Sequence, residues 1–206
     1  MAIGERCDGI LRAAEDVIGR RGYHQASIRE IARAAGLSLA GLYHYVRGKE
    51  EVLFLILDRA LDTLIAALDA ALAEARTPEA RLLALIHTHL DFGFRHPTAL
   101  KIVNRDWEAL PDPRRSEIAA KRNAYVARAL GVLRELDGHG RSGDELLSAT
   151  NLLLGMLNGI ARRPFLRSSE DVRALAGAVG HLFLYGFLDR AGADLAASAV
   201  RSEHDH

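Results

Sequence analysis

Side chains whose types and spacing could do chemistry are sparse in this chain, and they argue mostly against catalysis. His87, His89, Asp91 and His96 cluster in one segment. On a helix, His87 and Asp91 are four residues apart and share a face, a spacing from which both could reach a metal ion. No set of His, Cys or carboxylate residues elsewhere completes a site, so neither a metal nor a cofactor is expected. The one cysteine, Cys7, lies far from the histidine-rich segment, no Ser/His/Asp arrangement is visible, and no glycine-rich loop follows a strand to cradle phosphate. The chain is therefore not read as an enzyme. A second group points to binding. Asn104, Arg105, Trp107, Tyr125, Asn151, Asn158 and Arg162, with Phe92, are polar or aromatic positions in otherwise apolar helical stretches. Ligand pockets are mostly apolar with a few placed polar groups, which makes these eight the candidate ligand-binding residues. Asn151 and Asn158 are seven apart on one helix face, where a buried amide needs a partner. That partner is a ligand, another helix or a second subunit.

The elements that must position such residues are organised around Ser27 to Lys49. Ser27 and Glu30 form the S-x-x-E pattern of a capping box, which starts a helix at Ile28. Ile28, Ile31, Ala32 and Ala35 recur at helical spacing and give it one apolar face. Gly36 stops it, since glycine takes the left-handed conformation that helix ends favour. Ser38 caps a second helix, expected over 38–45, with Leu42 and Tyr45 turned back onto the first. Two helices this short must pack on neighbours, and their arrangement is that of a helix-turn-helix, whose second helix enters the DNA major groove.

Composition and charge bound the rest. The chain has 206 residues and a formal net charge of zero, but the charge is uneven. Residues 1–49 hold eight Lys and Arg against five acids, the sign expected of a segment that meets phosphate. One cysteine excludes an internal disulfide and fits a reducing compartment. No apolar run is long enough to span a membrane, and Glu5, Arg6 and Asp8 interrupt any signal-peptide pattern. A soluble, cytoplasmic protein is expected. Five prolines and abundant Ala, Leu, Arg and Glu point to an all-α fold of about nine helices. They are expected over 5–21, 28–35, 38–45, 49–75, 79–95, 98–108, 114–136, 144–163 and 170–189. The long helix from 49 connects a head, 1–48, to a body, 49–190, and residues 191–206 read as a flexible tail. The run Leu152 to Ile160 is apolar nearly all round, as in a helix buried on more than one side. Gly155 and Gly159 would let another helix approach closely, and the faces of 144–163 and 170–189 would suit a four-helix interface across a two-fold axis.

The motifs Ile10-Leu11-x-Ala13-Ala14, Gly22-Tyr23, Ser27-Ile28-Arg29-x-Ile31-Ala32, Ala35-Gly36-Leu37-Ser38, Leu42-Tyr43-His44-Tyr45-Val46 and Lys49-Glu50-Glu51-Val52-Leu53 together resemble the TetR family of bacterial transcriptional regulators. The resemblance implies an all-helical homodimer whose head binds double-stranded operator DNA and whose body binds a small-molecule effector. It implies that Ser27 and Arg29 contact DNA from the start of one helix. Ser38, Leu39, Ala40, Gly41, His44 and Tyr45 would lie on the recognition helix, and Tyr43 and Lys49 would bind phosphate. Ser27, Tyr43 and Lys49 are suitable phosphate donors, and such contacts position a reader without specifying sequence. The segment Leu39 to Leu42 has no Arg, Asn or Gln for a bidentate base contact. Base reading then falls to Arg29, Ser38 and His44, with apolar contacts from Leu39 or Ala40 to thymine methyls and a share for DNA shape. The expectation is a repressor of a palindromic operator, released by a largely apolar effector. The segment from His96 to Tyr125 resembles family branches that answer to fatty-acyl or steroid-derived CoA thioesters, with Arg105, Lys121 and Arg122 available to phosphates. The alternative is a helical ligand-binding or interaction module without operator binding.

Overall fold

In a computed structural model, which describes residues 3–138, 140–161 and 167–187, nine α-helices and no strand are found among the described residues. They are α1 (Ile3–Arg21), α2 (Ile28–Ala34), α3 (Leu39–Tyr43), α4 (Lys49–Glu74), α5 (Pro78–Arg95), α6 (Pro97–Arg105), α7 (Arg114–Leu136), α8 (Gly143–Ala161) and α9 (Ser169–Leu182). A 3-10 turn, Trp107–Ala109, follows α6, and a π turn, Phe183–Phe187, follows α9. The all-α expectation holds. The expected tail 191–206 and the last residues of the two C-terminal helices lie outside the described residues. None of the helices is long and apolar enough to cross a membrane.

Local chemistry explains the boundaries. Ser27 accepts the Glu30 amide at 3.2 Å while Glu30 accepts the Ser27 amide at 3.0 Å, so the capping box is complete. Gly22 and Gly36 end α1 and α2 with φ of +83° and +68°, a region that a side chain makes costly. Thr77 accepts the Ala80 amide, and Pro78 opens α5 where its missing N–H is not needed. Pro97 likewise sits in the first turn of α6.

The chain forms two compact units. The first comprises Met1–Ala67 with Arg95–Ala127. In it α1 packs on α2 and α6, and α2 on α3. Its core includes Ile10, Ala14 and Ile18 of α1, Ile31 of α2 and Leu42 of α3, each 1% exposed or less. Each buried aliphatic side chain of this kind contributes roughly 1.5–3 kcal/mol. The second unit comprises Leu68–Phe94 with the chain from Arg128 on. Leu82, Leu85 and Ile86 of α5, Leu153 and Leu157 of α8 and Val172 of α9 are fully buried there. The expected all-round burial of α8 is corrected on one face: Leu152 is 67% exposed, and Asn151, Gly155 and Gly159 are exposed with it.

Close approach singles out two glycines. A Cβ at Gly19 of α1 would lie 2.3 Å from Cγ2 of Thr98, and one at Gly180 of α9 would lie 2.5 Å from Cδ2 of Leu83. Thr98 is β-branched and stiff, whereas the end of Leu83 can change rotamer. Gly19→Ala is therefore expected to destabilise the protein by about 1–3 kcal/mol. Gly180→Ala should cost less than about 1 kcal/mol, offset by its better helix propensity. Paired urea melts check this ordering, and equal midpoints for the two variants would refute it.

Candidate nucleic-acid interface

The candidate DNA-contacting surface is built on the capped pair α2 and α3. Ser38 caps α3 by accepting the Gly41 amide at 3.0 Å. Leu42 is fully buried and sets which way the helix faces. Ser38, Ala40, Tyr43, His44 and Tyr45 are then exposed, with Leu39 and Gly41 half-buried. Tyr43 is 49% exposed, a large apolar side chain held in solvent. Arg29 is exposed on α2.

The structure shortens the second helix and so corrects its inner face. α3 ends at Tyr43, and His44 is its C-cap. Tyr45 follows in a turn, is 38% exposed and does not face α2; Val46, 2% exposed, takes the inner position. Helical spacing cannot be extended past a helix that has already ended. The turn exposes another cation, Arg47, which the sequence reading passed over. Its backbone amide donates to the Glu51 carboxylate in the first turn of α4. The only sequence signal for it was a basic residue directly after an apolar position and two before the start of a helix.

Two expected phosphate donors have other employment. The Ser27 hydroxyl accepts the Glu30 amide and donates to the Glu30 carboxylate at 2.9 Å. These bonds hold the Glu30 carboxyl below the usual carboxylate range, and Arg21, at 3.0 Å, favours its charged form too. Lys49 donates from Nζ to the carbonyls of Tyr23 at 2.9 Å, Ala26 at 3.0 Å and His24 at 3.5 Å, and stands 4.3 Å from the centre of the Tyr23 ring. An ammonium has three N–H groups, and here all three have carbonyls to meet. Lys49 thus ties the first residue of α4 to the link between α1 and α2.

The candidate ligand residues fall in both units. Asn104, Arg105, Trp107 and Tyr125 belong to the first; Phe92, Asn151 and Asn158 belong to the second; Arg162 lies outside the described residues. Phe92 and Tyr125 are buried, and burial pushes the Tyr125 phenol well above its ordinary range. Asn104 and Trp107 are half-buried. Asn151 is exposed, whereas Asn158 meets the ring of His89 at 3.3 Å, so the interhelical partner is found for one amide of the pair. His89 is 3% exposed, and burial lowers its pKa from 6.5 to about 4. It is a neutral core histidine. His87 instead lines an open groove of about 560 Å³ with Ala71, Leu83, Thr88 and Arg173, a groove bordered by none of the expected ligand residues. Among the described residues no three His, Cys, Asp or Glu side chains gather as metal ligands.

The three cations expected to meet effector phosphates are corrected by their partners. Arg105 donates from Nε and NH2 to Asp106 and from NH2 to the Ile18 carbonyl at 2.9 Å. Lys121 pairs with Asp58 at 2.5 Å and Asp62 at 2.6 Å on α4. Arg122 donates to the Val103 carbonyl at 2.8 Å and lies 4.9 Å over the Trp107 ring. Each of the three cations thus meets an acceptor within the protein.

A short capped helix pair with an exposed second helix, set in an all-helical chain, defines a DNA-binding helix-turn-helix protein. The comparisons agree. Residues 10–56 match the model for bacterial regulatory proteins of the tetR family, and residues 75–162 match that for the tetracyclin repressor-like C-terminal domain. The chain belongs to the TetR family of transcriptional regulators. It is 24% identical to the fatty acid metabolism regulator protein of Bacillus subtilis over 86% of this chain and 93% of that one. Other curated relatives are matched over a shorter stretch, in which the chain spans about 40% of their length. A TetR-family transcriptional regulator from Bordetella parapertussis superposes with a TM-score of 0.82 at 29% identity, covering 88% of this chain and 95% of that one. The structure of AibR in complex with isovaleryl coenzyme A and operator DNA gives a TM-score of 0.75 at 28% identity, covering 86% and 98%.

Proposed function

We propose that the protein is a dimeric repressor that binds a palindromic operator through residues 1–48 and is released by an acyl-CoA-type or similarly apolar effector bound within 49–190. The exposed face of α3 carries this reading: Ser38, Ala40, Tyr43 and His44 point to solvent while Leu42 anchors the helix from behind. Tyr43 and Arg47 are assigned to phosphate, and Arg29, Ser38 and His44 to base edges, with Leu39, Ala40, Gly41 and Tyr45 at the groove surface. Ser27 and Lys49 act behind that surface by holding the backbone.

The dimer is assigned to α8 and α9. Leu152 of α8, Leu182 at the end of α9 and Tyr185 just beyond it are 67%, 62% and 67% exposed, an unusual run of large apolar side chains in solvent. A Cβ at Gly155 or Gly159 would meet nothing within 4 Å, so the close approach these glycines permit is available to a second subunit. Two heads would then face successive major-groove turns, about 34–36 Å apart. The effector acts by preferring a state in which that spacing is lost. Its chemistry is supported by the fatty acid metabolism regulator of Bacillus subtilis and by AibR with its bound isovaleryl coenzyme A. Asn104, Trp107 and Tyr125, all of the first unit, are the residues assigned to the effector.

Titrating duplex DNA selected by the protein from a random pool, across about 50–200 mM salt, tests the reading. Log affinity should fall linearly with log salt, by about 0.9 per phosphate contacted. Flat binding, or no selected duplex at all, would sink it.

A further inference from the structure

We infer that Asp106 is a positioning residue for DNA binding: with Arg105 it fixes the link between α1 and α2, and through that link the helix pair, against the end of α6. The inference rests on the DNA-binding reading above. Asp106 is the C-cap of α6, the end of a helix whose dipole disfavours a carboxylate, and it is only 6% exposed. A buried carboxylate in that place needs strong compensation, and its partners supply it. Arg105 reaches both of its oxygens, at 3.0 Å from Nε and 2.7 Å from NH2, and the Tyr23 amide donates to it at 3.4 Å.

The same region of α6 grips the end of α1. Arg105 donates to the Ile18 carbonyl at 2.9 Å and Lys101 to the Gly19 carbonyl at 2.6 Å. A Cβ on Gly22 would lie 3.8 Å from the Arg105 guanidinium, which therefore covers the left-handed turn. From α4, Lys49 holds the carbonyls of Tyr23 and Ala26. Residues 18–26 are thus braced by two helices, and they lead directly into Ser27, the cap of α2. Asp106 is the carboxylate of this brace. It neutralises Arg105, holds its guanidinium in one orientation and takes the Tyr23 amide. Without it, Arg105 keeps a carbonyl partner but loses its fixed direction, the Tyr23 amide loses its acceptor, and the α6 side of the brace is weakened.

The experiment compares the full-length wild type, Asp106→Asn, Arg105→Gln and the double variant on two probes, the pool-selected duplex and a scrambled duplex of equal length. Asp106→Asn should weaken binding to the selected duplex at least tenfold and leave the scrambled duplex within about twofold, because non-specific binding rests on phosphate charge. General destabilisation would lower both together. The double variant should lose less than the sum of the two single losses, as for two parts of one device. Hydrogen exchange on the DNA-free protein should show faster exchange at Tyr23 and its neighbours in the variant. Unchanged selected-duplex affinity in Asp106→Asn, or equal loss on both probes, overturns the inference while leaving the proposed function standing. A wild type that selects no duplex overturns both.

Discussion

Lys49→Met should lower the melting temperature of the DNA-free protein by about 5–10 °C. The variant removes an ammonium that donates to the carbonyls of Tyr23, Ala26 and His24 and stands over the Tyr23 ring. Hydrogen bonds from charged donors are worth about 1.5–3 kcal/mol each, but Lys49 is half-buried and the exposed His24 carbonyl regains water, so a total of roughly 2–3 kcal/mol is expected. At about 2–4 °C per kcal/mol for a chain of this size, that gives the stated shift. Affinity for the selected duplex should fall with it, because a loosened link presents α2 and α3 poorly. A thermal melt without DNA decides the matter. If the midpoint stays put and only DNA affinity falls, Lys49 is a phosphate ligand and its carbonyl contacts are incidental.

His89→Gln should remove a large part of the acid sensitivity of the fold. His89 is buried beside Asn158, and burial lowers its pKa to about 4 from an ordinary 6.5. The folded state therefore binds fewer protons than the unfolded chain between these two values. Stability from this group is complete above pH 6.5 and is lost as pH falls toward 4. The full loss is about 3 kcal/mol at 1.36 kcal/mol per pH unit, with most of it gone by pH 4.5. Glutamine can keep a hydrogen bond to Asn158 and does not titrate. Urea melts of the two proteins at pH 7.5 and pH 4.5 measure the difference. Parallel losses in both would show that His89 charges in the folded state without penalty.

Much of the fold was legible because its signals are local. The capping box joins Ser27 to Glu30, three residues apart, and Gly22 and Gly36 adopt the positive φ that ends their helices. Pro78 and Pro97 open helices at positions that need no amide. Such interactions depend on residue types within one turn, which the order of residues states directly. The apolar residues of α4 recur at helical spacing for the same reason: Leu53, Ile56, Leu57, Ala60, Leu61, Leu64 and Leu68 are buried, while Ile65 and Leu72 are half-buried.

The candidate site was legible only in outline. Ser38, Tyr43 and His44 were placed in solvent as expected, yet Tyr45 was set on the wrong side because α3 ends two residues earlier than its pattern suggested. Lys121 and Arg122 read as free cations because partners of theirs lie 59 and 19 residues away, and Arg105 because the Ile18 carbonyl lies 87 residues away, although Asp106 is its neighbour in the chain. A charge in a sequence says what it can bind and not what the fold will bring to it.

By itself, then, the sequence determined an all-helical member of the TetR family with a capped helix-turn-helix pair, since capping, helical periodicity and glycine stops act over a few residues. Tertiary structure alone decided how the cations are used. Lys49, Lys101 and Arg105 meet the carbonyls that end α1 and begin the link to α2, and Asp106 is buried among them. Those encounters depend on α4 and α6 folding back onto α1, and the free energy that brings them there comes from apolar faces far from the charges themselves.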